Sequence, residues 1–425
     1  MVAVAGLRGT GDWATDERPK NFREFILRRN PNGTAPMFAL MARVGKDSTN
    51  DPEFAWWDEP NDLIRLQLND AGGLTSGETL FTVDSVDPTA AAPDARWGLA
   101  THLVPGDLIM VEPAVDAATF DHEIIRVVSV ISSTQFIADR GVAGTAAAAV
   151  ADDAFLLKIG SHYAEGTGAP LATTRNPNKY FNYTQIFKTS YEITRTAAAT
   201  KTRTGDPVKN DKLRRSWDHS RDLETAFLFG ERSEATGANG KPIRTTRGLR
   251  RWIPAANTTI LTTNWSIANS AGAGNNLLDA ISPVFNFDTP AGNERVAFCG
   301  NGALNAINAA IFKGTGIGAS TINFGGTESV FGMRFQRMSL PQGTIFLKTH
   351  PLMSLHSLYN DAMFLIDFSA LKYRPLEGGD TKTQDNIQGD DEDLRRGQWL
   401  TEAGMEINFG ALTCGYIGGF GAAIA

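Results

Sequence analysis

Between about residues 61 and 160, short apolar runs alternate with turn residues. Leu63-Ile64-Arg65-Leu66, Phe81-Thr82-Val83, Leu108-Ile109-Met110-Val111, Glu123-Ile124-Ile125-Arg126-Val127-Val128, Gln135-Phe136-Ile137-Ala138 and Phe155-Leu156-Leu157 are separated by Gly, Pro and Asp. Their length and spacing predict strands of a small β-barrel or sandwich. The period then changes. From Asp211 to about Glu231, Leu213, Trp217, Leu223, Phe227 and Leu228 fall as one face of a helix requires, and the opposite face is charged. Asp206 and Pro207 suit its start and Gly230 its stop. Arg214 and Asp218 stand four apart, a pair typically contributing only about 0.2–0.5 kcal/mol, so packing must hold this helix. Periodicity alone fits an amphipathic helix of a soluble enzyme equally well.

Beyond that helix, Asn276 to Val284 predicts a short helix stopped by Pro283, and Ala303 to Lys313 a second one. Strands are expected at 295–298, 333–335, 344–347, 363–366 and 405–409, with a closing strand in the small-residue tail 410–425. Mixed elements in this order predict an α+β layer arrangement. Residues 1 to about 50 differ. They are polar and mildly basic, with Arg18, Lys20, Arg23, Arg28 and Arg29 around Phe25-Ile26-Leu27, and they carry no periodic core pattern. This arm is expected to add little core. Trp56 and Trp57, in Phe54-Ala55-Trp56-Trp57-Asp58-Glu59-Pro60, fit either a lid on a local core or an anchor against another chain.

At 425 residues with 42% hydrophobic content, the chain is long enough for two or three cored domains. A net charge of -7 argues against a protein that works by neutralising nucleic-acid phosphates. Cys299 and Cys414 are too few for a disulfide framework and suit a reducing compartment. The N-terminus lacks a secretion signal's charged and apolar regions, and the tail is short for a bilayer span, so no membrane partner is expected.

Chemistry is sparse. Phe298-Cys299-Gly300-Asn301-Gly302 is a strand entering a helix through Gly-x-Gly, as in a dinucleotide turn, but Asn305 takes the third glycine's place and no ribose-binding acid follows. A tight turn into a packed helix explains the glycines more simply. His102, His122, His162, His219, His350 and His356 form no metal motif. The acidic residues Asp380, Asp385, Asp390, Asp391, Glu392 and Asp393 lie in loop composition without calcium-loop alternation. They suggest a solvated loop, or one meeting a neighbour's basic arm. No catalytic, cofactor or metal residue is assigned, and an enzyme is not expected.

The stretch Asn182-Tyr183-Thr184-Gln185-Ile186-Phe187, Tyr191-Glu192-Ile193-Thr194-Arg195-Thr196 and Leu223-Glu224-Thr225-Ala226-Phe227-Leu228-Phe229-Gly230 resembles the major capsid proteins of tailed bacteriophages. The order of elements is similar to the Hong Kong 97-like capsid fold. Gly106-Asp107 opening one strand and Arg140-Gly141-Val142-Ala143-Gly144-Thr145 closing another resemble the β-domain inserted in the extended loop of one subfamily; a free-standing carbohydrate-binding module is the alternative. The resemblance implies an N-terminal arm at 1–50 and an extended loop at 51–200 with the β-domain at about 75–160. It further implies a peripheral domain at 201–270 with a spine helix, an axial domain at 271–355 and returning strands at 356–425.

It also implies hexamers and pentamers of an icosahedral shell around double-stranded DNA, in a virion assembled in host cytoplasm. Neighbouring subunits would complete the core of the 182–252 stretch. A portal protein, a separate scaffolding protein and a decoration protein are the implied partners, with no sequence-specific DNA contact. Arg23, Arg28, Arg29, Trp56 and Trp57 are the candidate intersubunit contacts. Since no lysine lies between Lys46 and Lys158, a non-covalent shell is expected. A nanocompartment shell of the same fold, a β-rich attachment protein and a cofactor enzyme built on the Gly300 turn are the competing readings.

Overall fold

The computed structural model describes residues 35–58, 64–84, 99–112, 122–172, 177–200, 202, 205–267, 275–287, 289–313, 323–330, 333–408 and 412–424. Its elements are mixed α and β, and the buried apolar residues group into three cores.

The first core fills a six-stranded antiparallel sheet in the spatial order Arg65–Gln67, Phe155–Ser161, Asp107–Val111, Ile124–Val130, Gln135–Val142, Leu80–Thr82. Its two end strands meet: Leu68 bridges Val83, the Asn69 amide donates to Thr82 O (2.9 Å) and the Asp84 amide to Gln67 O (3.0 Å). The sheet is therefore a closed barrel rather than a sandwich. Leu66, Phe81, Ile109, Ile125, Val127, Phe136 and Leu156 fill it, with Phe81 and Phe136 stacked at 5.2 Å. A buried ion pair ties its end. Arg140 meets Glu123 through two 2.7 Å bonds and donates to Thr75 O and Glu78 O, while Glu123 also accepts the Gly141 and Ala148 amides. Burial pushes the Glu123 carboxyl up, but Arg140 and the two amides outweigh it and hold it below the usual carboxylate range. The Arg140-Gly141 motif is thus a structural knot.

The second core lies on one face of a seven-stranded mixed sheet, ordered Thr258–Ile260, Gly415–Gly418, Met363–Ile366, Glu294–Cys299, Thr344–Thr349, Met333–Ser339, Asn323–Val330. Alternation along its strands serves two cores at once. Ala297, Cys299, Met363 and Leu365 pack with Leu277, Ile281, Ala303 and Ile307, whereas Phe298, Phe364 and Ile366 pack with the helix Pro207–Phe229. Every residue of Met363–Ile366 is consequently buried, which explains its unbroken apolar sequence.

Pro207–Phe229 is the spine of the third core. Asp206 caps it, accepting from the Val208 and Lys209 amides, and Pro207 occupies the first turn. Asp218 pairs three residues away on either side, with Arg215 and Arg221, and not with Arg214. Leu223, Phe227 and Leu228 are buried and Leu213 is half exposed; the buried face also holds His219 and Glu224.

Two expectations are corrected here. The segment Gln185–Thr194 was expected to await a neighbouring subunit, yet it pairs through ten residues with this chain's own Leu394–Ala403, buries Phe187 in the same core as the spine, and buries Tyr191, whose hydroxyl donates to Asp385. The long return strand Leu394–Ile407 supplies the partner, 200 residues on in sequence and therefore invisible to local pattern. The arm was expected to add little core, yet Pro36–Val44 is a helix whose Met37, Leu40 and Met41 are buried, with Phe38 edge-on to Tyr373 at 5.4 Å. Beyond it, residues 45–49 run parallel to Tyr373–Leu376, the Tyr373 amide donating to Gly45 O at 2.7 Å.

Candidate functional site

Glu53–Asp58 pairs antiparallel with Asn178–Tyr183 in a two-stranded ribbon. The strand period of two puts the tryptophans on opposite faces of the ribbon. Trp56 faces inward, 7% exposed, against Phe54, Tyr180 and Trp252, with its Nε1 donating to Asp58 Oδ2 at 3.1 Å. It is a core lid. Trp57 faces outward and is 61% exposed. Its cross-strand partner is Lys179, and Ala55 opposite Phe181 and Glu53 opposite Tyr183 continue the same face. The Arg232 guanidinium lies 3.8 Å from the Phe181 ring centroid and donates to Phe181 O at 2.7 Å. The outer face is therefore aromatic and cationic, with Glu53 at one end. Arg23, Arg28 and Arg29 lie outside the described residues.

We expect Trp56→Ala to destabilise the subunit by about 3–5 kcal/mol, as large-to-small core changes do. Trp57→Ala should change it by less than about 0.5 kcal/mol. Thermal unfolding of the two variants separates them, and equal losses would contradict the inward and outward assignment.

Asn182, conspicuous in sequence only as the start of a polar run among aromatics, holds this ribbon to the rest. It is fully buried; its Nδ2 donates to Thr246 Oγ1, Arg247 O and Met405 O, and its Oδ1 accepts the Tyr183 and Arg247 amides. Gln185 Oε1 accepts the Thr246 amide, and Thr184 donates to Glu402. No local period could reveal this, because the partners come from two remote segments.

The enzyme-like features resolve into packing. A Cβ on Gly300 would lie 2.2 Å from Asn360 O, and one on Gly302 2.0 Å from Asp361 Oδ1. The Gly302 amide is taken by Asn360 Oδ1 and the Asn301 amide by Ser354 Oγ. The glycines serve close approach, and donors that would cradle a phosphate are already used. Both cysteines are free and buried; burial pushes the Cys414 thiol up to about 12 and raises Cys299 further, so neither is a nucleophile at neutral pH. His219 is buried between Thr401 and Thr189, and burial lowers its pKa. Around the acidic loop, Asp380 pairs with Lys46, Asp385 with Lys212, Glu392 with Arg396 and Asp393 with Arg195, all within this chain, while Asp390 and Asp391 are exposed. Among the described residues, no helix is long and apolar enough to cross a membrane.

Comparison with known proteins places this architecture. The chain is 24% identical over 396 residues to a major capsid protein of Pseudomonas phage PaMx41, covering 92% of this chain and 86% of that one. Remote likenesses in shape include a protein of Mycobacterium phage Bobi (8% identity, 94% of this chain and 95% of that one, TM-score 0.44) and the capsid of Myoviridae phage XM1 (8%, 94% and 96%, TM-score 0.40). A further one is the holo-SrpI encapsulin complex from Synechococcus elongatus (9%, 58% and 76%, TM-score 0.39). The family model described as SU10 major capsid protein matches residues 6–419, nearly the whole chain. On that match, the chain belongs to the SU10 major capsid protein family.

Proposed function

We propose that this phage major capsid protein tiles hexamers and pentamers into an icosahedral shell around double-stranded DNA, without covalent crosslinks and without a catalytic step of its own. The family match from residue 6 to residue 419 carries the reading. The isolated subunit supports it by exposing large apolar side chains in several places, among them Trp57, Leu171, Ile260, Leu355 and Leu358. Residues 1–50 are assigned as the arm, 51–200 as the extended loop carrying the barrel, 201–270 as the peripheral domain, 271–355 as the axial domain and 356–425 as the returning strands. The pairing of Leu394–Ala403 with Gln185–Thr194 supports the last assignment.

The outer ribbon face at Trp57, Phe181 and Tyr183, with Arg23, Arg28 and Arg29 of the arm, is assigned to contacts between copies. The absence of lysine from residues 47–157 supports a shell held by many modest contacts that reinforce one another. The DNA is enclosed without base contacts; portal, scaffolding and decoration proteins are the further partners. Assembly takes place in host cytoplasm.

Negative-stain imaging of the purified protein, alone and with a co-expressed scaffolding protein, tests the proposal. Closed shells are expected, and boiled shells should run on a denaturing gel as single subunits. A protein that stays monomeric under both conditions contradicts assembly; a ladder of linked oligomers contradicts the non-covalent shell.

A further inference from the structure

The spine helix carries a carboxylate in the middle of the apolar core. Glu224 is fully buried, and three donors converge on it from segments remote in sequence. Oε1 accepts the Met37 amide (2.8 Å) and a bond from His350 Nε2 (2.7 Å); Oε2 accepts the Phe38 amide (2.7 Å). Met37 and Phe38 are in the first turn of the arm helix, whose own N-cap residue, Ala35, has no side-chain acceptor. Such a turn has free amides and the positive end of the helix dipole, and here Glu224 supplies what the arm's sequence lacks. His350 is itself fixed. Its amide donates to Cys299 O at 2.8 Å, at the end of a central strand of the seven-stranded sheet, and its ring lies edge-on to Phe298 at 5.4 Å.

Backbone pairing of residues 45–49 with Tyr373–Leu376 holds the far end of the arm helix, but its apolar contacts do not define where the first turn sits. Burial of Met37, Leu40 and Met41 is non-directional, and methionine adapts to irregular gaps. A buried carboxylate is less tolerant, because an unpaired charge in a core is strongly unfavourable. Only a register that presents the first-turn amides to both oxygens satisfies it.

We propose that Glu224, held by His350, is a positioning residue that fixes the register of the arm helix's first turn, and so the point at which the preceding residues join it. The link to shell geometry rests on the assembly reading above; the register itself does not. Glu224→Gln is the informative change. The amide's one carbonyl oxygen can occupy either the Oε1 or the Oε2 position, and in each case the side-chain NH2 faces an arm amide, donor against donor.

The experiment is hydrogen exchange of the full-length Glu224→Gln subunit by mass spectrometry, with negative-stain imaging of its assembled products. Exchange in peptides covering 36–44 should accelerate roughly tenfold or more, as expected for an orphaned buried donor. The barrel and the seven-stranded sheet should keep their rates, and shells should become heterogeneous in diameter. Unchanged arm exchange, or acceleration spread equally over the seven-stranded sheet, overturns the proposal. Shells of parental diameter despite accelerated arm exchange overturn the link to geometry alone. If the parent chain forms no shells, the assembly reading fails while exchange still decides the register. Should Glu224→Gln not fold, His350→Ala and His350→Gln supply the second reading. The side-chain amide introduced by His350→Gln can still donate to Glu224, so arm protection should fall in the alanine variant and recover in the glutamine variant; equal exchange in both counts against the role of His350.

Discussion

Arg140→Ala is expected to open the barrel while the rest of the subunit stays folded. The side chain is 6% exposed and its partner Glu123 1%, so removal of the guanidinium strands a carboxylate in a nearly dry site. Breaking such a pair from one side typically costs about 3–5 kcal/mol, a large share of what a small domain has to spare. The carbonyls of Thr75, Glu78 and Ala148 each lose the Arg140 donor in the same step. Hydrogen exchange in peptides spanning 107–111 and 124–142 should rise steeply, with the spine helix unaffected. Unchanged protection there would show that the barrel does not depend on the knot. The same pair sets a pH dependence. Glu123 titrates below its ordinary range in the folded barrel, so its contribution is present above the unfolded carboxylate pKa and is lost as pH falls through the lowered value. The barrel should therefore melt at lower temperature in acid, and Glu123→Gln should flatten that dependence.

The second large effect separates two truncations that sequence alone treats as one. Deleting residues 1–34 should leave a subunit with nearly the parental melting temperature that fails to close shells, because it removes arm residues preceding the core helix. Deleting 1–45 removes Met37, Leu40 and Met41, each contributing about 1.5–3 kcal/mol by burial, and strands Glu224 without its two amide donors. That sum approaches the total stability of an ordinary domain, so the longer deletion should yield little folded protein. Calorimetry and imaging of both deletions decide the matter. Two deletions of equal stability would refute the core role of the arm helix, and closed shells from the shorter one would refute the clasping role of residues 1–34.

The barrel strands were legible in sequence because each carries its own apolar signal between turn residues; Leu108–Val111 and Gln135–Ala138 differ from the observed strands only at their ends. The spine helix was legible for the same reason, since its cap, its proline and its stop are local. Segments whose stabilisation comes from far away were not. The arm helix lacks a capping side chain of its own and borrows Glu224 across 186–187 residues. Leu394–Ile407 reads as mixed and polar in its first half because strands flank it on both sides while one face stays near water. The site divided likewise. Trp56 and Trp57 stood out by composition, but only the register against Lys179 and Tyr180 settles which of them is free.

The ring closure at Leu68 and Val83 matters for a capsid protein that must meet many copies of itself. An open sheet of six strands would present two rows of unpaired amides and carbonyls, a template on which identical modules could stack into fibres. Joined end to end, the two end strands offer those groups to each other instead of to a copy. Copies of the module therefore cannot extend one another's sheet through these two strands.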